Sequence, residues 1–391
     1  MTANRPLTLP TLPFGYALHA WPAAARHTIP PLSRGPPWRV AATGVRITHI
    51  TDCYAPRVGG IELQVQQLAR RQALAGHDVH VVTTTAGGPT TDDEPLSVVR
   101  LPSLRRVVDA VRRIDPDVVH AHASVLSPLS AAAAVAAARA LRPTLVTVHS
   151  LWAYLSRPYR LAAAAAGLSG LPIEWAAVSS TAARQVRHVL GSSRQVAVIP
   201  NGIDTGYWHH GSRSADSHEV VVAAVMRLAA RKRPLALLAA LRQARAALPP
   251  QVRLRAVILG DGPQRGLMKG YLAAHRMRDW VLMPGVGGPE QVRRLLAEAD
   301  VFIAAARLES FGLAALEARC ASVPIVAHAG TGIADFVRHG RDGLLVTEDG
   351  LGTALCHLTS SLDARAAMAA LSRSNPPALG WPVTLAAVDD A

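Results

Sequence analysis

The feature that most constrains this fold is an alternation, run through twice, of short β-branched stretches with helix-patterned ones. From Val45 the chain reads "VRITHI", then "IELQVQQLARRQALAGH", then "DVHVVTTT"; "DVVHAH", "TLVTVHS", "WAAVSS" and "QVAVIP" follow, with "LRRVVDAVRRI" and "STAARQVRHVL" as helical segments between them. Parallel strands need long crossovers, usually helices, so this rhythm predicts a parallel sheet covered on both faces. After a polar joint, "HHGSRSADSHE" at 209–219, the rhythm restarts with "VVVAAVMRL", "RLRAVILG", "WVLMPG", "DVFIAAA", "PIVAHA" and "GLLV". The expected fold is α/β: two Rossmann-like doubly wound domains facing an interdomain cleft. The 391 residues suffice for two cores.

The boundaries follow from the same pattern. Residues 1–43 read as a flexible Pro-rich N-terminal extension, 44–205 as the first domain, 206–375 as the second and 376–391 as a C-terminal segment. The cysteines Cys53, Cys320 and Cys356 are scattered without a CxxC, which argues against a disulfide framework or zinc site and suits a reducing cytoplasm. The Ala-rich stretches 128–142 and 161–178 are interrupted before about 20 apolar residues accumulate, so no transmembrane helix is expected. The N-terminus lacks the charged-then-apolar plan of a signal peptide. The net charge of +14, with no acidic residue before Asp52, favours anionic partners. Solvated charged faces are the plain reading; anionic lipid headgroups or a phosphorylated substrate are the sharper one. No nucleic-acid recognition motif or aromatic-interleaved basic stripe occurs, which sets nucleic acid aside.

The turns after the strands carry the chemistry. "APRVGGIELQ" puts Gly59 and Gly60 just before a helix, where backbone N–H groups can face a phosphate, although an ordinary tight turn reads the same way. It is not GxGxxG, which argues against a dinucleotide fingerprint. "AVMRLAARKRP" ends a strand with Arg227 and Lys232, two cations able to neutralise a diphosphate or simply to decorate a solvated loop. "ILGDGP" (258–263) and "GVGGPEQV" (285–292) are further glycine turns at strand ends. "ARLESFGLAALEARCASVP" carries Glu309 and Glu317 eight positions apart. On one helix these would lie about 12 Å apart and about 80° apart in azimuth, too far to share a proton. Read as strand, loop and helix, the segment places Gly312 near a helix start, so a pyrophosphate there would lie between the two carboxylates, each free to accept from hydroxyls. In isolation, either glutamate reads first as an exposed helix residue or a near-cap. His120 and His122 have a spacing a metal could use, but a structural role is the expectation, and the cysteines read as small core residues.

Taken together, "GGIE", "VIPNGID", "RLAARK", "ILGDGP" and the E-x7-E run "ESFGLAALE", in this order, resemble family 4 of the retaining glycosyltransferases, with the GT-B fold. The resemblance covers roughly Val45 to the C-terminus. It implies that Gly59 and Gly60 form the loop approaching the donor phosphate and that Arg227 and Lys232 bind the diphosphate. It implies that Glu309 contacts hydroxyls of the donor sugar and Glu317 the ribose, that the amides around Phe311, Gly312 and Leu313 form the phosphate-binding turn, and that His149 sits near the transferred sugar. Arg227, Lys232, Glu309 and His149 are then the catalytic candidates. Met226 stands where the family often has glycine, "AHAGTGIAD" differs from its usual double-glycine form, and the segment after Thr359 is short for a chain whose last helix crosses back to the first domain.

The implied activity is transfer of a sugar from a UDP- or GDP-linked donor to an acceptor hydroxyl, with a lipid-linked or cell-envelope glycan as the expected acceptor, and with retention at the anomeric carbon. No metal and no cofactor are expected. The expected location is the cytoplasm, with the basic surface offering peripheral attachment to the cytoplasmic face of a membrane. Two other readings stand beside it: a GT-B-like sugar-nucleotide epimerase or hydrolase, which would consume donor without acceptor, and an inactive relative serving as a binding or scaffold partner, which donor turnover would exclude.

Overall fold

The computed structural model describes residues 44–57, 59–87, 95–152, 155–191, 193–209, 218–347 and 349–391. The extension expected over 1–43 and most of the joint, 210–217, lie outside the described residues.

The first sheet contains β1 (Arg46–Thr51), β2 (Asp78–Thr83), β3 (Ser97–Arg100), β4 (Val118–Ala123), β5 (Thr144–Val148), β6 (Ile173–Ala177) and β7 (Ala197–Val198), in the spatial order β3-β2-β1-β4-β5-β6-β7 and parallel throughout. The second contains β8 (Glu219–Val225), β9 (Arg253–Leu259), β10 (Val281–Gly285), β11 (Val301–Ala304), β12 (Ile325–His328) and β13 (Gly343–Val346), in the order β10-β9-β8-β11-β12-β13, again parallel. β3 is not among the runs that the alternation predicts. It is a short edge strand with partly exposed residues, so it lacks the apolar run that marks a central strand.

The central strands are buried on both faces, as a parallel sheet under helices must be. All five interior residues of β8, Val220 to Ala224, are buried. One face packs under the helices Pro234–Ala247 and Leu351–Ser360 through Leu237, Leu241, Leu355 and Leu358. The other packs under Pro289–Glu298 and Leu313–Cys320 through Leu295, Leu296, Leu316 and Phe311.

In each sheet the chain leaves the founding strand on one side and returns on the other, between β1 and β4 and between β8 and β11. Crossovers diverge at such a reversal and leave a crevice at the carboxyl ends of the strands. The chain's last helix, Trp381–Asp389, lies on the first sheet: Thr384 Oγ1 donates to the Pro200 carbonyl at 3.0 Å, the Arg71 guanidinium sits 4.4 Å from the centre of the Trp381 ring, and Ala387 and Val388 pack on Leu145, Ala176 and Ile199. No helix among the described residues is long and apolar enough to cross a membrane.

Candidate active site

The two crevices meet. A Cβ built on Gly60 would stand 3.4 Å from Leu313 Cδ1, so the first helix of one domain starts against the E-x7-E helix of the other. Ser310 Oγ donates to the His149 carbonyl at 2.6 Å, and the Ser180 N–H donates to Asp335 at 2.7 Å. Gly59, Gly60 and His149 from the first domain therefore converge with the loop Glu309–Leu313 of the second.

That loop is held by glycines doing what no other residue could. Gly312 has φ 94°, in the left-handed region, and a Cβ there would meet Ile333 Cγ1 at 2.6 Å. Gly332 N–H donates to the Glu309 carbonyl at 2.9 Å, clamping the loop from below. Phe311 is buried and packs its ring 5.5 Å from that of Phe336, anchoring the turn in the core. Gly312 caps the helix Leu313–Cys320 without a side-chain bond, and the N–H groups of Gly312 and Leu313 have no acceptor among the described residues. Such groups, with the helix dipole behind them, form an anion site.

Arg227 and Lys232 sit on a loop after β8 whose shape depends on its neighbour. Met226 N–H donates to the Leu259 carbonyl at 3.0 Å and Leu228 N–H to Asp261 at 2.9 Å. A Cβ on Gly260, whose φ is 138°, would fall 1.8 Å from the Met226 carbonyl oxygen. The "ILGDGP" turn is thus a support for the cationic loop. Arg227 is exposed and makes no ion pair among the described residues. Lys232 Nζ forms a short ion pair with Glu309 Oε2, both side chains being mostly buried. The sequence assigned these two residues to different parts of a donor; here they hold each other.

Glu317 lies further down the same helix. It is half-buried, with no side-chain hydrogen bond among the described residues, and burial pushes its carboxyl up to about 8. It is close enough to Tyr207 to help raise that phenol, after burial and Glu290. The helix itself is pinned by Arg319, which is buried, donates to the carbonyls of Ser372 and Asn375, and meets Asp342 at 3.0 Å. Sequence reasoning missed this pair; its signal was an arginine on the apolar side of "LAALEARCA".

Sequence reasoning also took His120 and His122 as an isolated pair. Both are buried on one face of the first sheet with His49 and His149, because β1, β4 and β5 are adjacent and His49 is in register with His120. Alternate positions in "ITHIT", "VHAHA" and "VTVHS" were the available signal. Burial lowers His49 and His149 to about 4, and burial with mutual repulsion holds His120 and His122 well below the usual imidazole range, so all four rings are neutral near pH 7. Among the described residues, His49, His120 and His122 are the group that could hold a metal, one nitrogen of each lying within 4.8 Å of the other two. A tetrahedral ion with bonds of about 2.0 to 2.1 Å needs nitrogens roughly 3.4 Å apart. The His49 and His122 nitrogens, at 3.0 Å, already share a hydrogen bond, so the cluster as built is a hydrogen-bonded stack.

Two facing Rossmann-like domains with an anion turn, a glycine loop and paired charges between them define the class: a GT-B glycosyltransferase fold. A solved structure of this fold, the Anabaena protein HepE in complex with UDP-glucose, superimposes with a TM-score of 0.71 at 19% identity, covering 88% of this chain and 99% of that one. The family follows from the sequence matches. Residues 58–207 match the Glycosyltransferase Family 4 model and residues 209–355 match Glycosyl transferases group 1. The chain belongs to the group 1 glycosyltransferases. It is 27% identical over 378 residues to the D-inositol 3-phosphate glycosyltransferase of Acidothermus cellulolyticus, covering 83% of each. It is 32% identical over 181 residues to the protein of that name from Pseudarthrobacter chlorophenolicus, a match spanning 43% of this chain and 42% of that one.

Proposed function

We propose that this glycosyltransferase moves a sugar from a UDP- or GDP-linked donor to an acceptor hydroxyl with retention of anomeric configuration, and that it needs no metal or other cofactor. The observation that carries the reading is the convergence, in one cleft, of the Gly312 and Leu313 N–H groups, which have no acceptor among the described residues, with the Lys232–Glu309 pair and the Gly59–Gly60 loop. A diphosphate at the helix start would be neutralised by those amides, Lys232 and Arg227, the charge that a metal otherwise supplies. Glu309, at one side, accepts from sugar hydroxyls; Glu317, at the other, accepts from the ribose.

In the transfer, the bond between the anomeric carbon and the diphosphate oxygen breaks, and the acceptor oxygen bonds to the same face of that carbon. The acceptor's proton passes to the departing diphosphate oxygen, whose growing charge the cations and amides stabilise. Closing the cleft excludes water, which otherwise would take the sugar. The relatives named for D-inositol 3-phosphate support a hydroxylated, anionic acceptor. The exposed Arg105, Arg106, Arg112 and Arg113 on the helix Leu104–Ile114 support attachment to an anionic membrane surface, where a lipid-linked acceptor would reside.

The test is ligand-dependent thermal stabilisation with a panel of UDP- and GDP-sugars in the presence of a chelator, followed by turnover with acceptor present and absent. Stabilisation by one nucleotide class and acceptor-dependent turnover are expected. Equal turnover without acceptor would favour the epimerase or hydrolase reading, and loss of activity on chelation would overturn the metal-free one.

A further inference from the structure

The buried imidazoles form a directed chain. His49 Nε2 lies 2.7 Å from Gln72 Oε1, His49 Nδ1 lies 3.0 Å from His122 Nε2, and His122 Nδ1 lies 3.1 Å from His149 Nε2. A neutral imidazole carries one N–H and one lone pair, so fixing one nitrogen fixes the other. Gln72 Oε1 can only accept, which makes His49 Nε2 the donor and His49 Nδ1 a lone pair. That lone pair needs His122 Nε2–H, which leaves His122 Nδ1 bare. It in turn needs His149 Nε2–H. The chain ends at His149 Nδ1, a buried lone pair with no partner.

We infer that Gln72, some three hydrogen bonds away from His149, is a positioning residue that sets the His149 tautomer, so that His149 presents a hydrogen-bond acceptor, and not a donor, to a hydroxyl of the sugar in the cleft. Turning the Gln72 amide round would reverse every bond in the chain and place N–H on His149 Nδ1. The inference rests on the sugar-nucleotide reading above for the hydroxyl, but the direction of the chain is a property of the free protein. The rest of the surroundings favours neutral rings throughout: the His120 ring centre lies 4.2 Å from that of His122, tilted by 34°, His120 hydrogen-bonds Thr147 at 2.8 Å, and no carboxylate is hydrogen-bonded to any of the four rings among the described residues.

The experiment is long-range 1H–15N correlation on the full chain labelled with 15N-histidine, with assignment by single substitutions. In the unliganded wild-type protein, His49, His122 and His149 should each show the Nε2–H tautomer; any one of them found as Nδ1–H breaks the chain and overturns the inference. Gln72→Met, verified folded by its melting curve, should lose the single tautomer and lower kcat by about two- to tenfold, as expected for one hydrogen bond, with UDP affinity unchanged. A His149 tautomer unchanged in Gln72→Met would refute the role of Gln72. Adding UDP-glucose or GDP-mannose, against the matching nucleotide alone, separates the two readings: the chain direction stands or falls without ligand, whereas a His149 Nδ1 signal that no sugar nucleotide moves refutes its contact with a sugar hydroxyl.

Discussion

Glu317 offers the sharpest quantitative consequence. Its carboxyl is raised by burial to about 8, so near pH 7 the free protein holds it mostly protonated. A protonated carboxyl is one donor with reduced acceptor capacity, whereas two ribose hydroxyls need acceptors. Binding therefore requires the proton to leave, at a cost of about 1.4 kcal/mol at pH 7 for a group one unit above the solution pH. That corresponds to about tenfold in donor affinity, recovered as the pH rises through 8. Calorimetric titration of UDP between pH 7 and pH 9 should show affinity climbing by about that factor, with a proton released on binding below pH 8. In Glu317→Gln the dependence should vanish and the donor KM should be raised. The sign in the free protein is opposite. A carboxyl raised on folding contributes stability that is complete below its unfolded value and is lost as pH climbs through 8, so wild type should lose stability relative to Glu317→Gln across that interval. Wild-type affinity independent of pH, or the same climb in Glu317→Gln, would refute the assignment of Glu317 to the ribose.

Three further outcomes follow from named contacts. Glu309→Ala and Lys232→Ala should each lower kcat/KM by about tenfold or more, from the loss of a charged hydrogen bond, and the double variant should lose less than the product of the two because they share one ion pair. Gly312→Ala forces a side chain into the left-handed region, at about 1 to 2 kcal/mol, and against Ile333; it should raise the donor KM and lower Tm, whereas Gly330→Ala, with nothing within 4 Å, should do neither. Asp342→Ala leaves Arg319 buried without its counter-charge and should cost about 3 to 5 kcal/mol in urea denaturation. Burial pushes Asp342 up, but Arg338 and Arg319 outweigh it and hold the carboxyl low, so this contribution is present at neutral pH and lost as pH falls through the folded value.

Much of the fold was legible because parallel strands buried on both faces read as uninterrupted apolar runs, and β8, "EVVVAAV", is as plain in sequence as in structure. β3 was not legible, since an edge strand half in solvent has no such run. Within the site, the chain order of glycine turns and charges located the residues but not their partners. Nothing local in "RLAARK" or "RLESFG" says that Lys232 and Glu309 meet, because the contact depends on the spacing of β8 and β11. The histidine chain was invisible for the same reason. His49, His122 and His149 stand on three strands, and only their adjacency and register bring the rings within hydrogen-bond distance.

The most direct test of the account is the linkage made by the purified protein from an α-linked UDP- or GDP-sugar, in chelator, with an inositol phosphate or an anionic lipid acceptor, read from the anomeric proton of the product. The account predicts an α-glycoside and no product without acceptor. A β-glycoside, or release of free sugar alone, would contradict it.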